Sequence, residues 1–426
     1  MPPEGVRFDK MPWRMPVPEI KVLIYADDTM GFDGGSWDGL THLIHTLEAR
    51  HDYWVRIKVT AAHRLKNDLT KGDEFLKKDE NWGKEITDLN LSRYDELWLF
   101  GAAQGESYLN DKEIEAIKDF MDGGGGVFVT GDHADLGAGV SSAIPRVSKM
   151  RLWKAGVSPP GLGLHRNTSL QPGYSAEHEN PENVPRIRDL PSYDPGTMDI
   201  NLVGVDTFPF DNQSDDIPQN IRVKRHLYPS ASWWKAYSRP HPILCSKEGL
   251  IDVLPDHMHE GEVVIPTTLD PEEWPSTEAP GVSSEELVEI QPRPEVIAWG
   301  TIVEPTADTG RSFGVIGVYE GHIVNVGRIV ADSTFHHFVD INLIGDWGTK
   351  KLDPLSRGFI DTKLNPGAGL ALRKIDAYYR NIAVWLAPPR IQTQMLHALV
   401  WGSLLVDPLV KFDYRISGLY SWRWSN

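Results

Sequence analysis

A single cysteine, Cys245, stands in 426 residues, so no internal disulfide exists and the composition fits a reducing compartment. Runs of membrane-span length are missing as well: the most apolar stretch, 398–410, is interrupted by Gly402, Asp407 and Pro408. Residues 1–21 mix proline, acids, arginine and tryptophan and never build the apolar centre of a signal peptide. Basic runs are absent too. With 43 Lys and Arg against 60 Asp and Glu, the formal charge of −17 argues against a surface that neutralises phosphates. These absences lead to the expectation of a soluble, cytoplasmic protein that meets a small molecule, with neither nucleic acid nor membrane as partner.

What is present is ordinary globular material, 40% hydrophobic and 24% charged, enough for a sizeable core. The run 21–26 (Lys-Val-Leu-Ile-Tyr-Ala) ends at Asp27-Asp28 as a central parallel strand emerging at its polar tip. Leu40, Leu43, Ile44 and Leu47 then repeat at helical spacing, and Val55, Ile57 and Val59 alternate as a strand nearer an edge. A third strand, 96–100, runs into a small-residue loop carrying Gln104 and Glu106. Asn110 with Glu113 three residues on reads as a helix N-cap, and glycines 123–126 stop that helix before a fourth strand that ends at Gly131-Asp132-His133. Strands alternating with helices in this way predict an α/β, doubly wound, mostly parallel sheet of the flavodoxin-like or amidotransferase-like kind.

The pattern dissolves from about 150 to 294, a region dense in Pro, Gly, Asp and aromatics such as Trp153, Trp233 and Trp234. The expected organisation is an N-terminal arm (1–20), the first part of the sheet domain (21–150), an insertion covering the site (151–294), return strands (295–345) and a C-terminal helical segment (346–426). Among the return strands, 313–319 and 322–330 read as a hairpin through Glu320-Gly321, and the last runs into Asp332-Ser333-Thr334-Phe335-His336-His337.

Three stretches invite chemistry. In Asp256-His257-Met258-His259-Glu260, an extended segment points both imidazoles to one side, where with Glu260 they suit a divalent ion such as zinc, iron or manganese. The bland alternative is a polar turn whose histidines bond carboxylates and carbonyls. Asp132 and His133, flanked by glycines, fit close approach to a ligand; otherwise Asp132 caps the turn. His336 and His337 close the last strand on the same sheet edge, although strand alternation alone would bury one and expose the other. Asp27, Asp28, Gln104 and Glu106 are candidate ligand-binding groups from the neighbouring strand ends, with solvated caps as their ordinary role.

The order of elements, with residues 124–135 leading through glycines and a strand to His133 and residues 327–337 leading from Gly-Arg to His336 or His337, resembles the class I glutamine amidotransferase-like superfamily, and within it the trehalose-utilisation (ThuA-like) branch. The resemblance covers 21–151 and 296–340 and leaves the insertion and C-terminal helices outside it. It implies a nucleophilic cysteine after the fourth strand, whereas Asp132 or His133 occupies that place here, so thiolate glutamine hydrolysis is not expected. Two readings follow. One is a metal-assisted hydrolase or related small-molecule enzyme, with a metal on His257, His259 and Glu260, His133 or His337 as general base and Asp132 orienting it. The other is a non-catalytic carbohydrate- or metabolite-binding protein. A homo-oligomer assembled through the tryptophan-rich segment 385–424 is a third expectation.

Overall fold

The computed structural model describes residues 17–27, 29–32, 39–49, 54–64, 83–132, 135–153, 218–228, 237–255, 261–280, 287–301, 312–344 and 368–406. The first half supplies β1 (Glu19–Ala26), α1 (Thr41–Glu48), β2 (Arg56–His63), β3 (Glu96–Phe100), α2 (Asp111–Asp122), β4 (Gly126–Val129) and the short α3 (Ala138–Ser141). The insertion contributes β5 (Pro218–Asn220), β6 (Arg222–Val223), β7 (Arg225–Tyr228), β8 (Tyr237–Pro240), β9 (Cys245–Ser246), β10 (Gly249–Leu250), β11 (Val253–Pro255), β12 (Thr277–Pro280) and β13 (Leu287–Ile290). The chain then returns through β14 (Glu295–Thr301), β15 (Ser312–Tyr319) and β16 (Ile329–Asp332), followed by α4 (Asp340–Leu343), α5 (Ala368–Leu386) and α6 (Pro389–Val406).

Eight strands form the main sheet in the order β2-β1-β3-β4-β16-β15-β14-β6. The five from β2 to β16 are mutually parallel, and β15, β14 and β6 extend them by antiparallel pairing. The result is a large mixed α/β sheet whose parallel part has the strand order of flavodoxin-like folds. The insertion is therefore not wholly outside the sheet, since β6 pairs with β14.

Both faces of the parallel part are covered, which is why its strands read as continuous apolar runs rather than alternations. On one face Ile24, Trp98 and Phe128 meet Leu43, Ile44 and Leu47 of α1 and Ile375, Tyr378, Tyr379 and Ile382 of α5. On the other, Leu23, Leu97, Val127 and Val129 meet Ile117 and Met121 of α2. Asn110 starts α2 with a capping box, its side chain accepting the Lys112 and Glu113 amides while Glu113 accepts from Asn110. That carboxylate also pairs with Arg64 at 2.6 Å.

One expected strand is shorter than its apolar run. Residues 321–324 form a 3₁₀ turn, Asn325 adopts φ 62°, and β16 begins only at Ile329. The turn lets Arg328 grip Glu320 with two bonds of 2.6 and 2.7 Å and reach the Trp385 carbonyl at 2.6 Å, fastening the start of β16 to the end of α5. No helix among the described residues is long and apolar enough to cross a membrane.

His241, in front of the turn Pro242–Leu244, packs edge-on against Trp385 with ring centroids 4.9 Å apart. Burial disfavours its charged form and pulls its pKa from 6.5 to about 3. Between those values the unfolded chain binds a proton that the folded chain refuses, so stability is lost as pH falls through that window. Replacing His241 by Phe should flatten the pH dependence of the urea midpoint there, by up to about 1.4 kcal/mol per pH unit; parallel profiles for the two proteins would refute the assignment.

Candidate functional site

The chain beyond β4 reads Thr130-Gly131-Asp132, and beyond β16 it reads Ser333-Thr334-Phe335-His336-His337. Because β4 and β16 are adjacent and parallel, with Val127, Phe128 and Val129 opposite Ile329, Val330 and Ala331, both extensions leave the sheet at the same edge. Side-chain bonds continue the pairing where the ladder stops. The Thr130 hydroxyl donates to the Thr334 carbonyl at 2.6 Å, and the Thr334 hydroxyl donates to Asp132 Oδ1 at 3.3 Å.

Asp132 and His336 meet at this edge. His336 Nε2 donates to Asp132 Oδ2 at 3.1 Å, and its Nδ1 accepts from the Asn342 side-chain amide at 2.9 Å, a pairing that puts the ring proton on Nε2. The Thr334 hydroxyl also accepts the His336 amide at 3.1 Å, which fixes the backbone beneath the imidazole. Asp132 is 1% exposed and His336 9%, so the pair lies at the lip of the protein interior.

His337 goes the other way. It is fully buried and donates from Nε2 to Asp332 Oδ2 at 2.9 Å; that oxygen also accepts the Tyr378 hydroxyl at 2.6 Å, and the Tyr379 hydroxyl donates to the His337 carbonyl. Burial, reinforced by the Asp332 charge, pushes the Tyr378 phenol well above its usual value and keeps it a donor. Phe338 packs between Phe128 and Tyr379 at 5.1 and 5.2 Å. His337 thus anchors the loop to α5 while its neighbour faces Asp132.

Asp27 lies at the tip of β1, beside the junction with β3 where doubly wound sheets commonly take ligands. Its carboxylate accepts the Thr29 amide at 2.7 Å, the Thr29 hydroxyl and the Ala103 amide at 3.1 Å, and Thr29 Oγ1 accepts the Ala102 amide at 2.6 Å. Amides of the loop after β3 are therefore engaged by the protein's own side chains. Gln104 and Glu106, on that loop, are exposed. The loops after β3 and β4 are joined by the Gly137 and Gly139 amides donating to Ala103, and Gly137 holds φ +89° where a Cβ would stand 2.7 Å from Gly131 Cα.

Asp28, His133, His257, His259 and Glu260 lie outside the described residues. Among the described residues no three His, Cys, Asp or Glu side chains converge as metal ligands. The described chain resumes at Gly261, whose amide donates to the Ser333 carbonyl at 3.1 Å. Sequence reasoning missed Thr130, Thr334, Asn342 and Arg151. Thr334 lay inside a stretch already singled out, but nothing in the sequence marks Asn342, which reaches His336 only because α4 turns the chain back.

No family model matches this chain, and no curated protein matches it. A solved structure from Parabacteroides merdae ATCC 43184, described as ThuA-like, is similar over 86% of this chain and 89% of that one, at 10% identity and a TM-score of 0.31. Likeness at that level assigns neither family nor activity.

Gly101 tests the packing at the tip of β1, because a Cβ there would sit 2.5 Å from Asp27 Cγ. Gly101→Ala should lower stability by about 1–3 kcal/mol, read from denaturant midpoints, and Asp27→Ser in the same background should recover part of the loss. Wild-type stability in the single variant would contradict the packing.

Proposed function

We propose that the edge formed by β4 and β16 is the active site of a small-molecule hydrolase in which Asp132 and His336 move the proton. The observation that carries this reading is the chain Asn342–His336–Asp132, with donor-acceptor distances of 2.9 and 3.1 Å at the carboxyl ends of two adjacent parallel strands. In this arrangement Asp132, at the end of the fourth strand, is the proton acceptor, and the His336 Nε2–H, held in place by the Asn342 amide on Nδ1, supports its carboxylate. A water or leaving group that replaces the Thr334 hydroxyl at Asp132 meets a carboxylate backed by an imidazole, and the same pair returns the proton to the departing atom. Asn342 spares the ring the cost of reorienting during transfer.

The resemblance of residues 124–135 and 327–337 to the ThuA-like branch supports the location, with Asp132 or His133 standing where the wider superfamily has its cysteine. Asp132→Asn and His336→Gln should each lower kcat/KM by about 10²- to 10⁴-fold on a substrate found in a panel of chromogenic esters, amides and glycosides, with circular dichroism unchanged. Undiminished turnover by Asp132→Asn would remove the proposal.

A second reading, a carbohydrate- or metabolite-binding protein without turnover, draws support from one feature: both His336 nitrogens are already hydrogen-bonded. Thermal stabilisation by a ligand, lost in Asp132→Asn, with no turnover of that ligand, would favour it.

A divalent ion on His257, His259 and Glu260 belongs to the same proposal. Two imidazoles and a carboxylate suit zinc, iron or manganese, and the return of the chain at Gly261 beside Ser333 supports delivery of that segment to this edge. Purified protein should carry close to one equivalent of metal, reduced at least tenfold in the His257→Ala, His259→Ala double variant; equal metal content in both proteins would sink this part.

A further inference from the structure

One guanidinium lies behind the reacting pair. Arg151 is 2% exposed, and its Nη2 donates to the carbonyl of Asp132 and to that of Ser333 at 2.8 Å, while Nη1 donates to the Leu152 carbonyl at 3.0 Å. Its plane lies over Trp153 at 4.7 Å. Among the described residues it makes no carboxylate ion pair. Burial pulls its pKa down to about 10, against the pull of Asp132 and Asp332 in the opposite direction, so it remains a cation at neutral pH.

Two glycines reserve its space. A Cβ on Gly131 would stand 2.9 Å from Arg151 Cζ, and a Cβ on Gly261 would stand 2.6 Å from the same atom and 2.7 Å from the Asp132 carbonyl oxygen. Three segments therefore converge on one side chain: the end of β4, the end of β16 and the return of the insertion. The insertion leaves and returns as a paired ribbon here. Arg151 bridges Val263, the Leu152 amide donates to Glu262 at 2.9 Å, the Val264 amide donates to Met150 at 3.0 Å and the Val263 amide to Gly314 at 2.9 Å.

We infer that Arg151 is a positioning residue that sets the separation of Asp132 and His336 and couples the insertion's return segment, 261–264, to that pair. The inference rests on the proposed role of Asp132 and His336. Its physical basis is the planar fork of donors, which binds carbonyls from two strand ends in fixed geometry; an ammonium makes point contacts and holds neither angle. The β4–β16 ladder ends at Val129 and Ala331, so beyond it the spacing of the two extensions depends on side-chain bonds, among which this buried fork binds a carbonyl from each extension.

The test reads the molecule without needing a substrate. The His336 Nε2 proton, assigned by its disappearance in His336→Gln, is followed by nitrogen-edited NMR together with amide exchange at Gly261, Val263 and Val264. Arg151→Met should shift or abolish the imidazole signal and speed exchange at those amides by about tenfold or more. Arg151→Lys should restore part of the imidazole signal through its charge while leaving the amides fast. Should Arg151→Met not fold, Gly261→Ala, which crowds the guanidinium, should move the same signals. A folded Arg151→Met, or Gly261→Ala in its place, with both readouts unchanged overturns the inference. Asp132→Asn separates the two ideas: if it moves the His336 signal while Arg151→Met does not, the pair stands and the role of Arg151 falls, and if it leaves the signal unmoved, the pair itself falls.

Discussion

The parallel pairing of β16 with β4 is the constraint from which the rest of this molecule follows. It joins residues 127–129 to residues 329–331 across about two hundred positions of chain, and it closes the five-stranded parallel array. Long-range pairing of this kind is expensive in chain entropy and is sustained here by apolar cover on both faces. Val127 and Val129 face α2, while Phe128 packs among Trp98, Phe100 and Phe338 towards α5. With the pair in register, two chain extensions leave the sheet side by side, and their side chains meet whatever the intervening sequence contains.

Polar groups at that edge are handled as buried polar groups must be: each of the principal ones has partners. Asp27 serves the loop after β3, Asp332 receives His337 and Tyr378, Asp132 receives His336 and Thr334, and Arg151 takes three carbonyls. The Asp27 contacts tighten the loop after β3, and those of Asp332 fasten α5. Asp132 differs because its imidazole partner retains some exposure and is oriented by a third group. The proposed chemistry falls on that one pair because of its geometry, not because ionisable residues are present there.

Much of the fold was legible because local patterns and tertiary structure agree. The run ending at Asp27, the capping box of Asn110 and Glu113, the glycines before β4 and the apolar face of Ile375, Tyr378, Tyr379 and Ile382 all announce their elements. The stretch 321–328 was not legible: an apolar run with β-branched residues reads as strand, but Asn325 in the left-handed region and the grip of Arg328 on Glu320 make it a turn. Nor could composition reveal that β6, two residues within an irregular insertion, pairs with β14. A two-residue strand has no period to detect.

For the site, the sequence by itself determined which turns carry ionisable groups; strand alternation would have buried one of His336 and His337 and exposed the other, but both lie in a turn beyond β16 and both are buried. Which of the two turns toward Asp132 was decided by the tertiary structure, because α5 supplies Tyr378 and Tyr379 on one side and α4 supplies Asn342 on the other. The structure alone also placed Arg151 between the strand ends and showed the Asp27 carboxylate accepting amides of Thr29 and Ala103. Side-chain periodicity is a property of the local chain, whereas the partner across a gap of two hundred residues is fixed only by the register in which distant strands pair.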